Sequence, residues 1–263
     1  MTNIDIPEIL RKLDIDRIGD ADPSSAGGVV RYVTLDGGDC TIIYSRFTES
    51  KIDDAILREK ALADEGRYNL EWKVYGHDGP ANLKGRLVAA GFEPETVEKF
   101  MVLPVTAEAL DRFPMAGHDV RRVDTVEGLV DLVASAASSG QCDPDEEMRR
   151  LAPVLEQEPE SMSVFVAYVD GVPVAGGRIQ YNERRDFAGL YGGRTSALYR
   201  NQGHYVALVG ARLHEAYDRG IAYLFIDALP TSEPIVAKRG FTAVTDTQPF
   251  VWRGGKGNVD IQD

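Results

Sequence analysis

The chain has 263 residues, enough for one large or two small cores, and its 43% hydrophobic and 27% charged content is that of a folded globular protein. Its net charge of −13 speaks against a nucleic-acid partner, because phosphate binding wants a basic face. The acidity suits a cationic substrate, and equally an ordinary solvated surface. Cys40 and Cys142 are the only cysteines and stand far apart, so no disulfide framework is expected and the compartment is read as reducing. Met1 to Asp22 lacks the charged start and apolar core of a secretory leader. No run approaches the roughly 18 apolar residues of a membrane span. The expectation is a cytoplasmic protein with no membrane partner.

In the first half, Ile6–Leu13 reads as an amphipathic helix. Val29–Leu35 and Thr41–Ser45 read as strands joined by the hairpin signal Asp36-Gly37-Gly38-Asp39. A helix is predicted over Ser50–Glu65 with Gly66 as its stop, then a strand over Leu70–Tyr75. After the turn Gly76–Pro80 comes a helix over Asn82–Ala90 ending at Gly91. Phe92 then enters a strand pair that finishes at Val102-Leu103. Domain boundaries are expected at 1–105, a connector at 106–118 in which Thr106 caps a short helix, a second domain at 119–252, and a polar tail at 253–263.

The second half restarts with a strand, Val120–Val123, and helices near Val126–Ala137 and Pro144–Glu156, the latter led by the cap candidate Asp143. Ser163–Val169 and Val172–Gln180 alternate as strands around the turn Asp170-Gly171. Phe187–Thr195 is a further strand whose interior Gly192-Gly193 marks a bulge or a close backbone approach. Glu183 and Asp186, in the turn before it, read as solvated. Val206, Val209, Gly210, Leu213, Ala216 and Tyr217 define one apolar helical face that stops at Gly220. Ile221–Ile226 then reads as a strand buried on both faces. Thr231 or Ser232 can cap a helix with Pro234 in its first turn. That helix ends at Gly240-Phe241, and a final strand pair closes near Val251-Trp252.

Between strand and helix lies Arg200-Asn201-Gln202-Gly203-His204-Tyr205. First-turn N–H groups without intrahelical partners, a helix dipole, an arginine and a glycine that lets the backbone close make an anion site. With the strand end Gly193-Arg194-Thr195, the strand Ile221–Ile226 and the Gly240-Phe241 unit, this order of elements resembles the GCN5-related N-acetyltransferase (GNAT) family. That family's pyrophosphate loop reads Arg/Gln-x-x-Gly-x-Gly/Ala. The resemblance covers most of 119–252. The first half looks like a second copy of the same α/β fold with a mixed sheet. Thr48 to Ile52, at the start of its helix, has no Arg-x-x-Gly, so it is not expected to hold the cofactor.

The resemblance implies acetyl-CoA as co-substrate. The pantetheine arm would lie on the backbone of Gly193, Arg194 and Thr195. The phosphates would meet Arg200, Asn201, Gln202, Gly203, His204 and Tyr205, and Ser232 would assist at the next helix start. Two positions depart from the family pattern. Tyr205 stands where Gly or Ala is usual, so its side chain must point away from the phosphates. Val236 stands where the family frequently has a tyrosine acid, four residues before the Gly-Phe pair. Acetyl transfer needs a base to deprotonate the ammonium. Asp227 is the first candidate, with Tyr191 and His204 as others, although Asp227 also suits a turn cap, Tyr191 the core, and His204 a solvent-facing helix start. The scattered His77, His118, His204 and His214 predict no metal site. The expected activity is transfer of acetyl to a primary amine of a small molecule or a peptide. The alternative is an acyl-CoA-binding module without turnover.

Overall fold

The computed structural model describes residues 4–24, 27–136, 143–182, 184 and 186–253. Cys142, Glu183 and the tail beyond Arg253 lie outside the described residues. The chain divides into two compact units. Among the described residues, the first is Ile6–Phe100 with 244–253, and the second is Met101–Ala243 with residues 4 and 5. The sequence expectation assigned 119–252 to one domain, whereas residues 244–252 group with the first unit.

The first unit opens with α1 (Ile6–Ile18), five residues longer than its apolar pattern indicated. Hairpin strands β1 (Val29–Val33) and β2 (Asp39–Ser45) follow, then α2 (Ile52–Gly66), β3 (Asn69–Tyr75), α3 (Leu83–Ala89) and the two-residue β4 (Glu93–Pro94). Ile52, Ala55, Ile56, Glu59 and Ala63 form the buried stripe of α2. Gly66 does not stop that helix. Arg67 does, in the left-handed conformation at φ 53°, while the Tyr68 ring occupies the space where a side chain on Gly66 would stand. The sheet order is β1-β2-β3-β11, with β2 and β3 parallel and the others antiparallel. Trp72, Leu70, Ile42, Ile52 and Phe250 fill the core.

β5 (Glu98–Pro104) carries the chain from the first unit into the second. There follow α4 (Ala107–Leu110), capped as expected by Thr106, β6 (Asp119–Val123), α5 (Leu129–Ala136) and α6 (Pro144–Gln157), whose cap Asp143 accepts from the amides of Asp145 and Glu146. β7 (Met162–Val169) and β8 (Val172–Tyr181) join through Asp170 and Gly171, both at positive φ. β9 (Phe187–Thr195), α7 (His204–Asp218), β10 (Tyr223–Ala228) and α8 (Glu233–Ala237) complete the unit. The strand order is β5-β10-β9-β8-β7-β6, with β9 and β10 parallel and β9-β8-β7-β6 antiparallel throughout. Asp186 is half-buried rather than solvated, and its carbonyl accepts from Tyr223 N–H.

Two expectations need correction here. The closing strand pair is one eleven-residue strand, β11 (Thr242–Trp252), because Asp246 and Pro249 sit within an extended run paired to β3 instead of forming a turn. β10 starts at Tyr223, and only one of its faces is buried: Leu224, Ile226 and Ala228 join the core against α7, while Tyr223, Phe225 and Asp227 are half-exposed. No described helix is long and apolar enough to cross a membrane.

In α7, Gly210 lets the helix touch the segment after α4. A Cβ there would meet the Phe113 carbonyl oxygen at 2.5 Å and Met115 Cγ at 3.0 Å. Alanine favours a helix by about 1 kcal/mol over glycine, but a backbone oxygen cannot move aside cheaply. Gly210→Ala should therefore lower stability by about 1–3 kcal/mol in chemical denaturation. A stabilised variant would show that the packing is looser than the structure indicates.

Candidate functional site

In the second unit the parallel strands part. β9 and β10 pair only at Phe187–Gly189 with Tyr223–Phe225, and both then continue, to Thr195 and Ala228. The parting coincides with a bulge in β9. Gly176 of β8 faces Arg194 and Arg178 faces Tyr191, so one β8 residue spans two in β9, Gly192 and Gly193. Gly192 holds φ 59°, which the missing side chain permits, and both glycines are exposed.

The strand leads through a single 3-10 turn, Ala197–Tyr199, into the loop. Asn201 takes φ 62° and Gly203, the residue before α7, takes φ 90° without any side-chain cap, so the first-turn amides of α7 are left for another acceptor. Arg200 Nε donates to the Thr195 carbonyl and Gln202 Nε2 to the Leu198 carbonyl, which ties the loop to the strand end. Tyr205 turns away from the loop, as its size demanded. Its ring lies 3.0 Å from the position of a Cβ on Gly193, and burial raises its hydroxyl pKa. Gly193 thus accommodates Tyr205 as well as an open strand edge.

His204 is buried, not solvent-facing. Its Nδ1 lies 3.2 Å from Nδ1 of His118, so one ring must donate and the other accept, and the His118 ring also covers Gly203. Burial, and then the neighbouring His118, lower the His204 pKa below 6.5. The ring is packed behind the loop, against His118.

The two faces of the wedge differ chemically. On the α7 side, Arg212 is fully buried and donates to the carbonyls of Leu208 and Arg178. Desolvation lowers its pKa to about 10. On the side of α5 and α6, Arg194 makes two bonds to Glu147, at 2.5 and 2.9 Å, and one to the Leu132 carbonyl. Tyr191 meets Phe225 edge to face at 5.9 Å. Asp227, two residues beyond Phe225, stands on that same face of β10 and is half-buried. Ser232 directly precedes α8, where its hydroxyl donates to the Leu229 carbonyl and caps nothing. Val236 is fully buried and offers no proton.

The first unit repeats the parting. β2 and β3 pair from Asp39–Ile42 with Asn69–Trp72 and then continue to Ser45 and Tyr75, and Ile43 is an extra residue in the register of β2 with β1. Here Arg17 of α1 fills the place. Its Nε donates to the Ile43 carbonyl at 2.7 Å, its guanidinium lies 3.7 Å from the Tyr75 ring, and it pairs with Asp78 at 2.8 Å and Asp14 at 2.9 Å. His77, Asp14 and Asp78 cluster closely enough to suggest a metal, but Arg17 already supplies their positive charge. Neither Arg17 nor Arg178 stood out in the sequence. Their one available signal was an arginine inside an apolar pattern.

Arg17→Met should cost about 3–5 kcal/mol, because Asp78 would be left as a buried unpaired carboxylate. Arg17→Met/Asp78→Asn should recover part of that loss in urea titrations. Equal stability of the single variant and the wild type would disprove the role. His204 predicts a pH effect. Its lowered folded pKa means that the unfolded chain binds the proton first, so stability is full above about pH 6.5 and falls as pH drops below it. His204→Leu should flatten that slope, and an unchanged slope would contradict the assignment.

No family model and no curated protein matches the chain. Solved structures do. A conserved protein of unknown function from Staphylococcus epidermidis aligns at TM-score 0.62 and 14% identity, covering 86% of this chain and 90% of that one. A GCN5-related N-acetyltransferase from Kribbella flavida aligns at 0.60 and 17%, covering 88% and 93%. A tandem GNAT protein of the clavulanic acid biosynthesis pathway aligns at 0.55 and 11%, covering 81% and 74%. The chain is α/β with mixed parallel and antiparallel strands and has the fold of the GCN5-related N-acetyltransferases.

Proposed function

We propose that the second unit binds acetyl-CoA and transfers its acetyl group to a primary amine, the protein acting as a cytoplasmic N-acetyltransferase. The observation that carries this reading is the wedge between β9 and β10, which opens at a glycine bulge and runs into a loop whose left-handed Gly203 starts α7. Acetyl-CoA fits these residues. The parted strand offers backbone at Gly193, Arg194 and Thr195, and the loop offers the Arg200 guanidinium and amides from Asn201 through Tyr205, with the Tyr205 side chain turned inward. Ser232 lies at the following helix start and completes the binding set.

When bound, acetyl-CoA supplies the acetyl group as an activated thioester. The chain's work is to hold the acceptor against the bulge, to donate backbone hydrogen bonds to the thioester oxygen, and to take the ammonium proton. Asp227 and Tyr191 share the face of the wedge on which an acceptor would approach, with Asp227 as base. The amine nitrogen would form the new bond to carbon, the carbon–sulfur bond would break, and the CoA thiolate would take the second nitrogen proton and leave as thiol. The acceptor is a small molecule or a peptide N-terminus.

Only the second unit is proposed to take the cofactor. In the first, Arg17 occupies the equivalent parting and the helix start carries no glycine. One observation favours the second reading, a binding module without turnover: the buried Val236 at the family's usual acid position. Binding of acetyl-CoA with no thiol release across a broad amine panel would select it.

Isothermal titration should show acetyl-CoA binding at sub-millimolar concentration. Gly203→Asp should abolish it, because the new side chain would meet the His118 ring at 3.0 Å, strain a φ of 90° and place a carboxylate at the anion site. An unaffected variant would refute the loop assignment.

A further inference from the structure

Arg178 is a largely buried charge with little to satisfy it. It lies at the centre of β8, opposite Tyr191, on the face toward α5 and α6. Its side chain is 16% exposed and its Nε is buried without a hydrogen bond. The nearest carboxylate is Glu147, 3.9 Å from its terminal nitrogen, and that carboxylate is already engaged by two bonds from Arg194. Arg150 adds further positive potential, and the Tyr191 ring, 5.6 Å away, contributes only a cation–π contact. Burial lowers the Arg178 pKa, yet a guanidinium stays charged at neutral pH. The group is therefore a buried cation short of an anion, an arrangement that costs folding free energy unless something compensates it.

Its position says where that compensation would come from. The Arg178 terminal nitrogen lies 2.7 Å from where a Cβ on Gly192 would stand, so the guanidinium sits over the bulge, beside the exposed glycines. Tyr191 lies beside it, with Phe225 edge to face on Tyr191, and Asp227 lies further along the same face of the wedge.

We propose that Arg178 recognises a carboxylate on the amine acceptor, so that the substrate class is amino acids or other amines bearing a carboxylate. This rests on the acetyl-transfer reading of the wedge. The planar fork of Arg178 suits two parallel bonds to a carboxylate. Anchoring that group at the bulge leaves the acceptor's amine near Asp227, the proposed base. Overall acidity does not oppose the assignment, because Arg150 and Arg194 add positive potential at Arg178.

The test compares each α-amino acid with the amine that lacks its carboxylate, such as lysine with cadaverine and phenylalanine with phenethylamine, by thiol release from acetyl-CoA on the full chain. The wild type should favour the carboxylate-bearing member of at least one pair by about tenfold or more. Arg178→Met should bring that preference toward unity through a rise in KM of about 10–100-fold, and Arg178→Lys should restore part of it. Preference for the carboxylate-free amine in every pair, or a ratio unchanged in Arg178→Met, overturns the proposal. If no amine yields thiol, titration with N-acetyl amino acids and their methyl esters decides separately. Acids that bind the wild type but not Arg178→Met support carboxylate recognition while removing the transferase reading. Acids and esters that bind alike, or not at all, overturn it.

Discussion

When two parallel strands separate inside a sheet, every N–H and C=O released must find another partner or remain in contact with water. That constraint organises both units. β2 leaves β3 after Ile42 and Trp72, and β9 leaves β10 after Gly189 and Phe225, each next to an extra residue in the bulged strand. In the first unit the problem is solved within the chain: the Arg17 guanidinium bonds the Ile43 carbonyl and rests against Tyr75. In the second unit the bulge is built of glycine and stays exposed. One geometry thus has two outcomes, a parting filled by Arg17 and one lined by exposed glycines.

The second unit is polarised across its sheet. Toward α7, aliphatic side chains of β9 and β10 pack with the helix, and the buried Arg212 is absorbed by backbone carbonyls. Toward α5 and α6, the alternation of the same strands delivers Tyr191, Arg194, Phe225 and Asp227, joined by Arg178 from β8. Period-two alternation explains both faces at once, and the bulge resets it so that Gly193 meets Tyr205 while Arg194 reaches Glu147. A chain of net charge −13 therefore carries a local excess of arginine at the very place proposed for its chemistry.

Much of this was legible from local rules. The cap at Asp143, the turn at Asp170-Gly171 and the span of β9 each depend on residues close in sequence, and each appears where those residues placed it. The apolar face of α7 holds at Val209, Gly210, Leu213 and Ala216, but Tyr217, expected on that face, is exposed. Local rules failed where a distant contact decided. Ile221–Ile226 looked doubly buried because its composition is apolar, but only tertiary packing determined that Phe225 and Tyr223 would remain half-open. His204 looked like a solvated helix start until His118, 86 residues earlier, packed against it.

The sequence by itself determined the order of elements as far as α8, the glycine bulge and the loop from Arg200 to Tyr205. All of these follow from short-range sterics and hydrogen bonding, which a few neighbouring residues specify. Only the tertiary structure decided that Arg17 would close one wedge, that Arg178 would lie over the other, and that β11 would belong with the first unit. Those outcomes depend on which surfaces meet when chain segments tens to hundreds of residues apart are buried together. Such pairings leave no periodic trace in the sequence, because a buried arginine and an exposed one are written with the same residue.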